Sequence, residues 1–392
     1  MAEAPRRSRI TLGLMLAATL LTLAVGYAVK RPCLVGPWDG RQYRQLCYSD
    51  VAGLYEAEGL DRDLVPYLEV TNEYPVLTGF TMLLGAVPAE SFASFFNWTA
   101  GLLALAALGT AAMLHRLARE RAPLFAFAPT LAAYAFMNWD LVAVVLATGA
   151  MLAYRRRQDA SAGALLGLGA AAKLYPALLI LPLALGRLRQ RRTDGAVRLT
   201  GAAIGAWLVV NLPIAILAPE AWSYFFRFNS TRPADWDSLW YLAQRHGLPI
   251  STTVVNVLSA VAFVGVSALV WKVVSSRNPR FRAWTFGFPL LVAFLLAGKV
   301  YSPQFSLWLL PWFVLALPNW RLFLLFSVTD VAVFVTRFQF FAELQGVGGV
   351  PFGWFEAAII ARALVLVICL VAWVRHHAPR TAPVPRPVEA PA

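Results

Sequence analysis

The sequence predicts an all-α integral membrane bundle of about twelve transmembrane helices. Three observations lead there. The 392 residues are 59% hydrophobic and only 14% charged, against about 25% charged in soluble domains. The apolar runs recur along almost the whole chain and leave no room for a separate soluble domain. The runs are continuous rather than alternating, which favours helices over a β-barrel.

The expected spans are 10–29, 92–114, 123–137, 140–154, 160–172, 174–186, 197–217, 252–274, 283–298, 303–317, 320–337 and 354–374. The first follows Arg6, Arg7 and Arg9 and resembles a signal peptide, but its apolar run is too long and no small-x-small site follows, so it reads as a retained span. Residues 30–91 form a first outer loop, the only long polar segment near the start, with Asp39, Asp50, Glu56, Glu58, Asp61, Asp63, Glu69 and Glu73. Cys33 and Cys47 fall in this loop. They either close a small disulfide in an oxidising compartment or stand as two free thiols. Val76–Pro88 is apolar but short. A full span there would flip every later loop, so it reads as a half-buried or re-entrant segment.

Asn138-Trp139-Asp140 forms a tight outer turn between two short spans. Lys173-Leu174-Tyr175-Pro176 breaks a second pair, where the proline favours a kink or stop. A second outer loop covers 218–250, a third outer turn runs from Gly298 to Gln304, and Arg337 begins a fourth. Cys369 lies in the last span as a packing residue. Residues 1–377 thus read as one polytopic domain, followed by a Pro- and Ala-rich tail, 378–392, expected to be disordered and cytoplasmic. No repeat of 20–50 residues is evident.

The net charge of +13 invites a nucleic-acid reading, but its distribution does not support one. With the N-terminus inside, the clusters Arg116 to Arg121, Arg155-Arg156-Arg157, Arg187 to Arg198 and Arg277 to Arg282 all fall inside, and the acid-rich loops fall outside. This is the positive-inside bias. Both termini are then cytoplasmic, and the expected partners include membrane lipids but no nucleic acid.

The polar groups expected near the outer face are few: Asp50, Glu73, Asn138, Asp140, Lys173, Arg232, Asp235, Asp237, Lys299, Gln304 and Arg337. Charges at that depth are expensive and usually functional. A lipid-phosphate sugar donor needs a cation for the departing phosphate and a carboxylate for the acceptor proton. Lys173, Arg232, Lys299 and Arg337 supply cations, Asp50 a base, and Trp139, Trp236, Trp240 and Tyr301 faces for a sugar. Each has a plainer reading. Asp50 suits the N-cap of a helix starting at Val51, and Asp140 suits a cap of the next span. Lys173 suits a snorkelling lysine and Lys299 an interface lysine. The Trp and Tyr residues suit an interfacial belt. Asp235-Trp236-Asp237 has only His246 nearby, so no metal is expected, and no nucleotide, zinc or Ser-His-Asp pattern points to a cofactor or another chemistry. A transporter or flippase is the competing class, with Lys173, Asp330, Glu356 and Arg362 marking a path; a membrane scaffold is a third. The concentration of polar residues in outer loops favours the enzyme.

Several motifs together resemble the polytopic glycosyltransferases of family 87. They are Cys47-Tyr48-Ser49-Asp50 with Leu54-Tyr55, Pro66-Tyr67, Glu73-Tyr74-Pro75-Val76-Leu77-Thr78-Gly79, Asn138-Trp139-Asp140, Gly167 to Pro176, Asp237-Ser238-Leu239-Trp240 and Lys299-Val300-Tyr301-Ser302-Pro303-Gln304. The resemblance runs from about residue 33 to 340. It implies the clan C membrane bundle and a bacterial plasma membrane enzyme with its site on the periplasmic face. It implies a polyprenyl-phosphate sugar donor, most often mannose, and a lipid-linked or glycan acceptor. An inverting hexosyl transfer is therefore expected, with arabinofuranosyl transfer as the alternative. Asp50 matches the clan's catalytic carboxylate. Lys173 and Lys299, with Arg232 and Arg337, become the expected donor-phosphate ligands. Glu73, Tyr74, Asn138, Asp140, Tyr175, Asp237, Trp240, Tyr301 and Gln304 become the expected substrate-binding residues.

Overall fold

The computed structural model describes residues 10–378. The tail expected at 378–392 lies almost wholly outside them, as do Arg6, Arg7 and Arg9. In chain order the α-helices are α1 (Leu12–Lys30), α2 (Arg41–Arg44), α3 (Asp50–Ala57), α4 (Val76–Ala86), α5 (Phe92–Ala118), α6 (Pro123–Ala126), α7 (Pro129–Tyr134), α8 (Asp140–Arg155), α9 (Asp159–Ala172), α10 (Tyr175–Arg189), α11 (Thr193–Leu217), α12 (Pro219–Thr231), α13 (Leu239–Arg245), α14 (Thr252–Arg277), α15 (Gly287–Ala297), α16 (Leu310–Leu315), α17 (Trp320–Leu344) and α18 (Phe352–His377).

The expectation of about twelve spans is corrected. Among the described residues, six helical segments are long and apolar enough to cross a membrane: Leu12–Leu34, α5, α11, α14, α17 and α18. Helices α8, α9 and α10 have 16, 14 and 15 residues, roughly 21–24 Å at 1.5 Å per residue, short of a hydrocarbon core of about 30 Å. The expected spans 123–137, 283–298 and 303–317 break into shorter pieces. Their apolarity has another cause. Leu131, Tyr134, Phe288, Leu291, Leu309 and Phe313 are fully buried against other protein. The six long segments instead bury only 11–39% of their most apolar windows. A buried core segment and a lipid-facing span have the same hydropathy.

Helix starts follow local chemistry. Ser91 and Ser94 form a reciprocal capping box at α5, Ser251 caps α14, and Asn319 caps α17 through the Arg321 and Leu322 N–H groups. Pro176 and Pro219 sit in the first turns of α10 and α12, where no N–H is needed.

The tightest helix pair is α9 on α11. A Cβ at Gly163 would overlap the Leu199 carbonyl, and one at Gly167 the Ala203 carbonyl. Small residues four apart let the backbones touch. Gly201, on the other side of α11, has nothing within 4 Å of its would-be Cβ. Alanine should therefore act oppositely at the two sites. Gly201→Ala is expected to gain up to about 1 kcal/mol from helix propensity, whereas Gly167→Ala is expected to lose about 1–3 kcal/mol to overpacking. Thermal unfolding of the two variants in detergent checks this; equal shifts would refute the close-contact account.

Candidate active site

Asp50 is held by the first loop. A disulfide joins Cys33 to Cys47, 14 residues apart, with S–S 2.12 Å. The buried Lys30 ammonium donates to the Tyr48 carbonyl at 2.6 Å. The Ser49 hydroxyl donates to the Phe136 carbonyl at 2.6 Å, and the Asp50 N–H to the Met137 carbonyl at 2.8 Å. Residues 47–50 are thereby pinned against the turn that carries Asn138.

The Asp50 side chain does not cap α3, which has no side-chain cap. Its Oδ1 accepts from the Tyr48 hydroxyl at 2.8 Å. Its Oδ2 accepts from Asn138 Nδ2 at 2.7 Å and Gln304 Nε2 at 3.3 Å. Asn138 is the node of the site. Its Nδ2 also donates to the Tyr74 hydroxyl at 2.7 Å, and its Oδ1 accepts from the Trp139 N–H at 2.7 Å and Lys173 Nζ at 3.2 Å. Asn138 is fully buried. It links the Asp50 carboxylate to the Lys173 ammonium through one amide.

Lys173 follows the last turn of α9. Its Nζ lies 3.4 Å from Asp140 Oδ2 and 4.6 Å from the centre of the Tyr74 ring. Asp140 does not cap α8; it is buried as the counter-ion of Lys173, and its Oδ1 accepts from Trp308 Nε1 at 2.7 Å. Helix α4 locks Tyr74 beside this pair. The Thr78 hydroxyl donates to the Ala172 carbonyl at 2.7 Å, and the Tyr67 hydroxyl lies 2.9 Å from the carbonyls of both Tyr74 and Pro75. Gly79 leaves the space that the Tyr67 ring fills.

A cavity of about 330 Å³ opens beside Asp50. Glu73, Tyr74, Lys173, Tyr175, Arg232, Lys299 and Gln304, all expected site residues, line it. Gln304 links it to Asp50. Lys299 donates to the Ser230 and Arg232 carbonyls at 3.2 and 2.8 Å, which straps the α12–α13 loop over the cavity and leaves one of three N–H donors. Burial, and then the Arg232 charge, lower its pKa. Burial and then the Asp50 charge raise Glu73, against a pull from Arg232 and Lys173.

The other expected ligands lie outside this lining. The Arg337 guanidinium is bonded to Asp237 and lies 3.5 Å from Asp235, so it does not add a fourth cation to the cavity. Burial alone would raise Asp235, but Arg337, Arg232, the Trp236 N–H and Ser302 together hold it below the usual carboxylate range. Tyr301 is stacked under Arg362 at 3.7 Å and bonded to Ser306. Trp240 Nε1 donates to the Ala297 carbonyl at 2.8 Å. Tyr48, Trp308 and the α12 residues Phe225 and Phe228 were not expected at the site. Tyr48 holds Asp50, Trp308 stacks on Tyr175 at 4.4 Å, and the two phenylalanines line the cavity. The Tyr48 motif and the aromatic run of α12 were visible signals.

Glu58 supports the loop from behind and is bonded by Asn72 Nδ2 at 2.9 Å. Burial, then the Glu73 charge, push its carboxyl up to about 7. The folded state thus holds this proton more tightly than the unfolded chain, with a carboxyl near about 4.3. Its stabilising contribution is complete below the unfolded value and lost as pH rises through about 7. The melting temperature of the parent should fall more steeply from pH 5 to 8 than that of Glu58→Gln. Parallel curves would show that Glu58 is not the group responsible.

Fold and site define a polytopic membrane protein with a carboxylate beside a cation-lined cavity. The chain belongs to glycosyltransferase family 87, whose family model matches residues 74–303, more than half its length. The matched residues include Asn138, Lys173, Arg232 and Lys299; Asp50 and Gln304 flank them. The family places the chain among glycosyltransferases acting at a membrane on polyprenyl-phosphate sugars. No curated protein matches the sequence. Among solved structures the chain is similar to the crystal structure of ArnT from Cupriavidus metallidurans in the apo state, at 16% identity and a TM-score of 0.41, over 92% of this chain and 77% of that one.

Proposed function

We infer that this protein transfers a sugar from a polyprenyl-phosphate donor to a hydroxyl of a lipid-linked or glycan acceptor, with Asp50 as the base. The observation that carries this is the convergence of Lys173, Arg232 and Lys299 on one cavity whose Gln304 also touches Asp50. The acceptor oxygen attacks the anomeric carbon, its proton passes to Asp50, and the bond to the phosphate oxygen breaks. The cations stabilise the phosphate as it leaves. One displacement inverts the anomeric centre. The apolar part of the cavity lining, with Leu174, Phe225, Phe228 and Phe294, gives the first part of the lipid tail a surface to lie against. The positive-inside bias supports a periplasmic site.

For the sugar, an arabinofuranosyl donor fits better than mannose. Most polar side chains of the lining are already bonded within the protein: Asn229 to Phe225, Ser302 to Asp235, Gln304 to Asp50. Among the described residues, only Glu73, Tyr175 and Arg232 of the polar lining side chains make no hydrogen bond inside the protein, and Lys299 keeps one free N–H. A pentofuranose presents fewer hydroxyls to satisfy than a hexose, and an unmet buried polar group costs about 1–3 kcal/mol. The transporter reading loses support because the buried charges are paired, Asp330 with Arg362 at 3.4 Å and Lys173 with Asp140 at 3.4 Å.

The test is transfer by the purified protein in lipid, with labelled polyprenyl-phosphate arabinofuranose and polyprenyl-phosphate mannose supplied separately to a mixed acceptor extract. Transfer from the pentose donor is the expected result. Transfer from mannose alone would overturn the sugar assignment, and transfer from neither by folded protein would overturn the reaction.

A further inference from the structure

A second recess lies at the far end of the helices that build the active site. Helices α8 and α10 start at Asp140 and Tyr175, beside the catalytic cavity, and run about 21 Å at 1.5 Å per residue to their last turns. There they meet the segment that joins α14 to α15. Arg155 and Arg157 from the end of α8, Arg187 and Arg189 from the end of α10, and Arg280 and Arg282 from the joining segment surround a cavity of about 560 Å³. Phe281 and Trp284 form its apolar floor.

Only one of these arginines is neutralised. Arg187 forms the back wall, with Nε 2.6 Å from Asp159 Oδ1 and Nη2 2.6 Å from the Tyr154 carbonyl. Among the described residues the other five pair with no carboxylate. Two are held by rings instead. The Arg189 guanidinium lies 4.5 Å from the Trp271 ring centre and 4.6 Å from that of Phe281, and Arg155 lies 5.8 Å from Trp284. A ring-held guanidinium presents its fork in a fixed direction, which suits bidentate binding of phosphate.

Two simpler causes leave this arrangement unexplained. The ends of α8 and α10 each carry roughly half a negative charge, about one charge against five arginines. The positive-inside bias requires basic residues in these loops, but not their meeting from three segments on one concave surface. Basic pockets between membrane helices take multiply charged lipid head groups.

We propose that this recess binds an anion bearing two phosphate groups, remote from the transfer site. Two phosphate groups on one ligand can come from a lipid head group of the adjoining leaflet or from soluble pyrophosphate. The test uses the full chain in phosphatidylcholine nanodiscs. One arm titrates inorganic pyrophosphate; the other replaces a tenth of the lipid by tetraoleoyl cardiolipin and counts bound cardiolipin by native mass spectrometry. Both arms compare the parent, the triple variant Arg155→Gln/Arg189→Gln/Arg282→Gln, and Lys299→Gln at the catalytic cavity. The expected result is binding at least ten-fold weaker in the triple variant and unchanged in Lys299→Gln. Loss in the cardiolipin arm alone assigns the ligand to the leaflet, and loss in the pyrophosphate arm assigns a soluble one. No binding by the parent in either arm, equal binding by the triple variant, or loss only in Lys299→Gln would overturn the proposal. Arg282 is exposed and has no side-chain partner among the described residues. Arg282→Gln alone, with an expected loss of a few-fold, keeps the test valid if the triple variant unfolds.

Discussion

Asp50→Asn is expected to lower kcat for sugar transfer by roughly 10²–10⁴-fold, the range for loss of a general base, in protein that folds normally. The folding half of that statement follows from the bonding. Asn138 cannot turn over, because its Oδ1 must accept from Lys173 and the Trp139 N–H. Its Nδ2 therefore always needs an acceptor at position 50. The asparagine oxygen can serve there, facing Asn138 and Gln304. Its amide nitrogen then faces the Tyr48 hydroxyl, which rotates from donor to acceptor. Every bond has a replacement, so thermal stability and donor affinity should stay near those of the parent while the chemical step slows. Single-turnover rates with saturating donor check this. If the loss appears in donor binding or melting temperature with an unchanged chemical step, Asp50 is a structural residue rather than the base.

The contrast between Asp50 and Asn138 shows what the sequence could and could not reveal. The positions of the long helices were readable because hydropathy is a local signal. The six long spans fall where apolar runs predicted them. The shorter runs did not carry enough information, since 283–317 is apolar through burial in protein and not through contact with lipid. At the site, residue types pointed to a base and a phosphate clamp, and Lys173, Arg232 and Lys299 do share a cavity. Asn138 was expected at the site, but as a substrate-binding residue. Its role as the joint between Asp50, Tyr74 and Lys173 depends on contacts 88, 64 and 35 residues away, which no local pattern encodes. For the same reason Arg337 looked free. Its partners, Asp235 and Asp237, lie about a hundred residues earlier, and Asp237 was itself read as a substrate-binding residue.

Lys173→Met should be the most damaging single change to stability, costing about 3–5 kcal/mol, because it leaves Asp140 as an unpaired charge in the interior. Asp140 has no exposed side-chain surface, and its Oδ2 has no hydrogen-bond partner other than the nearby ammonium at 3.4 Å. The single variant would lose activity simply by unfolding, which says nothing about the phosphate. The double variant Lys173→Met/Asp140→Asn separates the two roles. The asparagine oxygen still accepts from Trp308 Nε1, the buried charge is gone, and most of the lost stability should return. Transfer should not return, since the cavity would still lack the cation that faces the donor phosphate from the Asp50 side. Thermal unfolding and transfer rate, measured on the parent, both single variants and the double, form a complete cycle. Stability recovering without activity would place Lys173 on the leaving phosphate. Recovery of both would reduce it to the counter-ion of Asp140 and leave Arg232 and Lys299 to hold the donor alone.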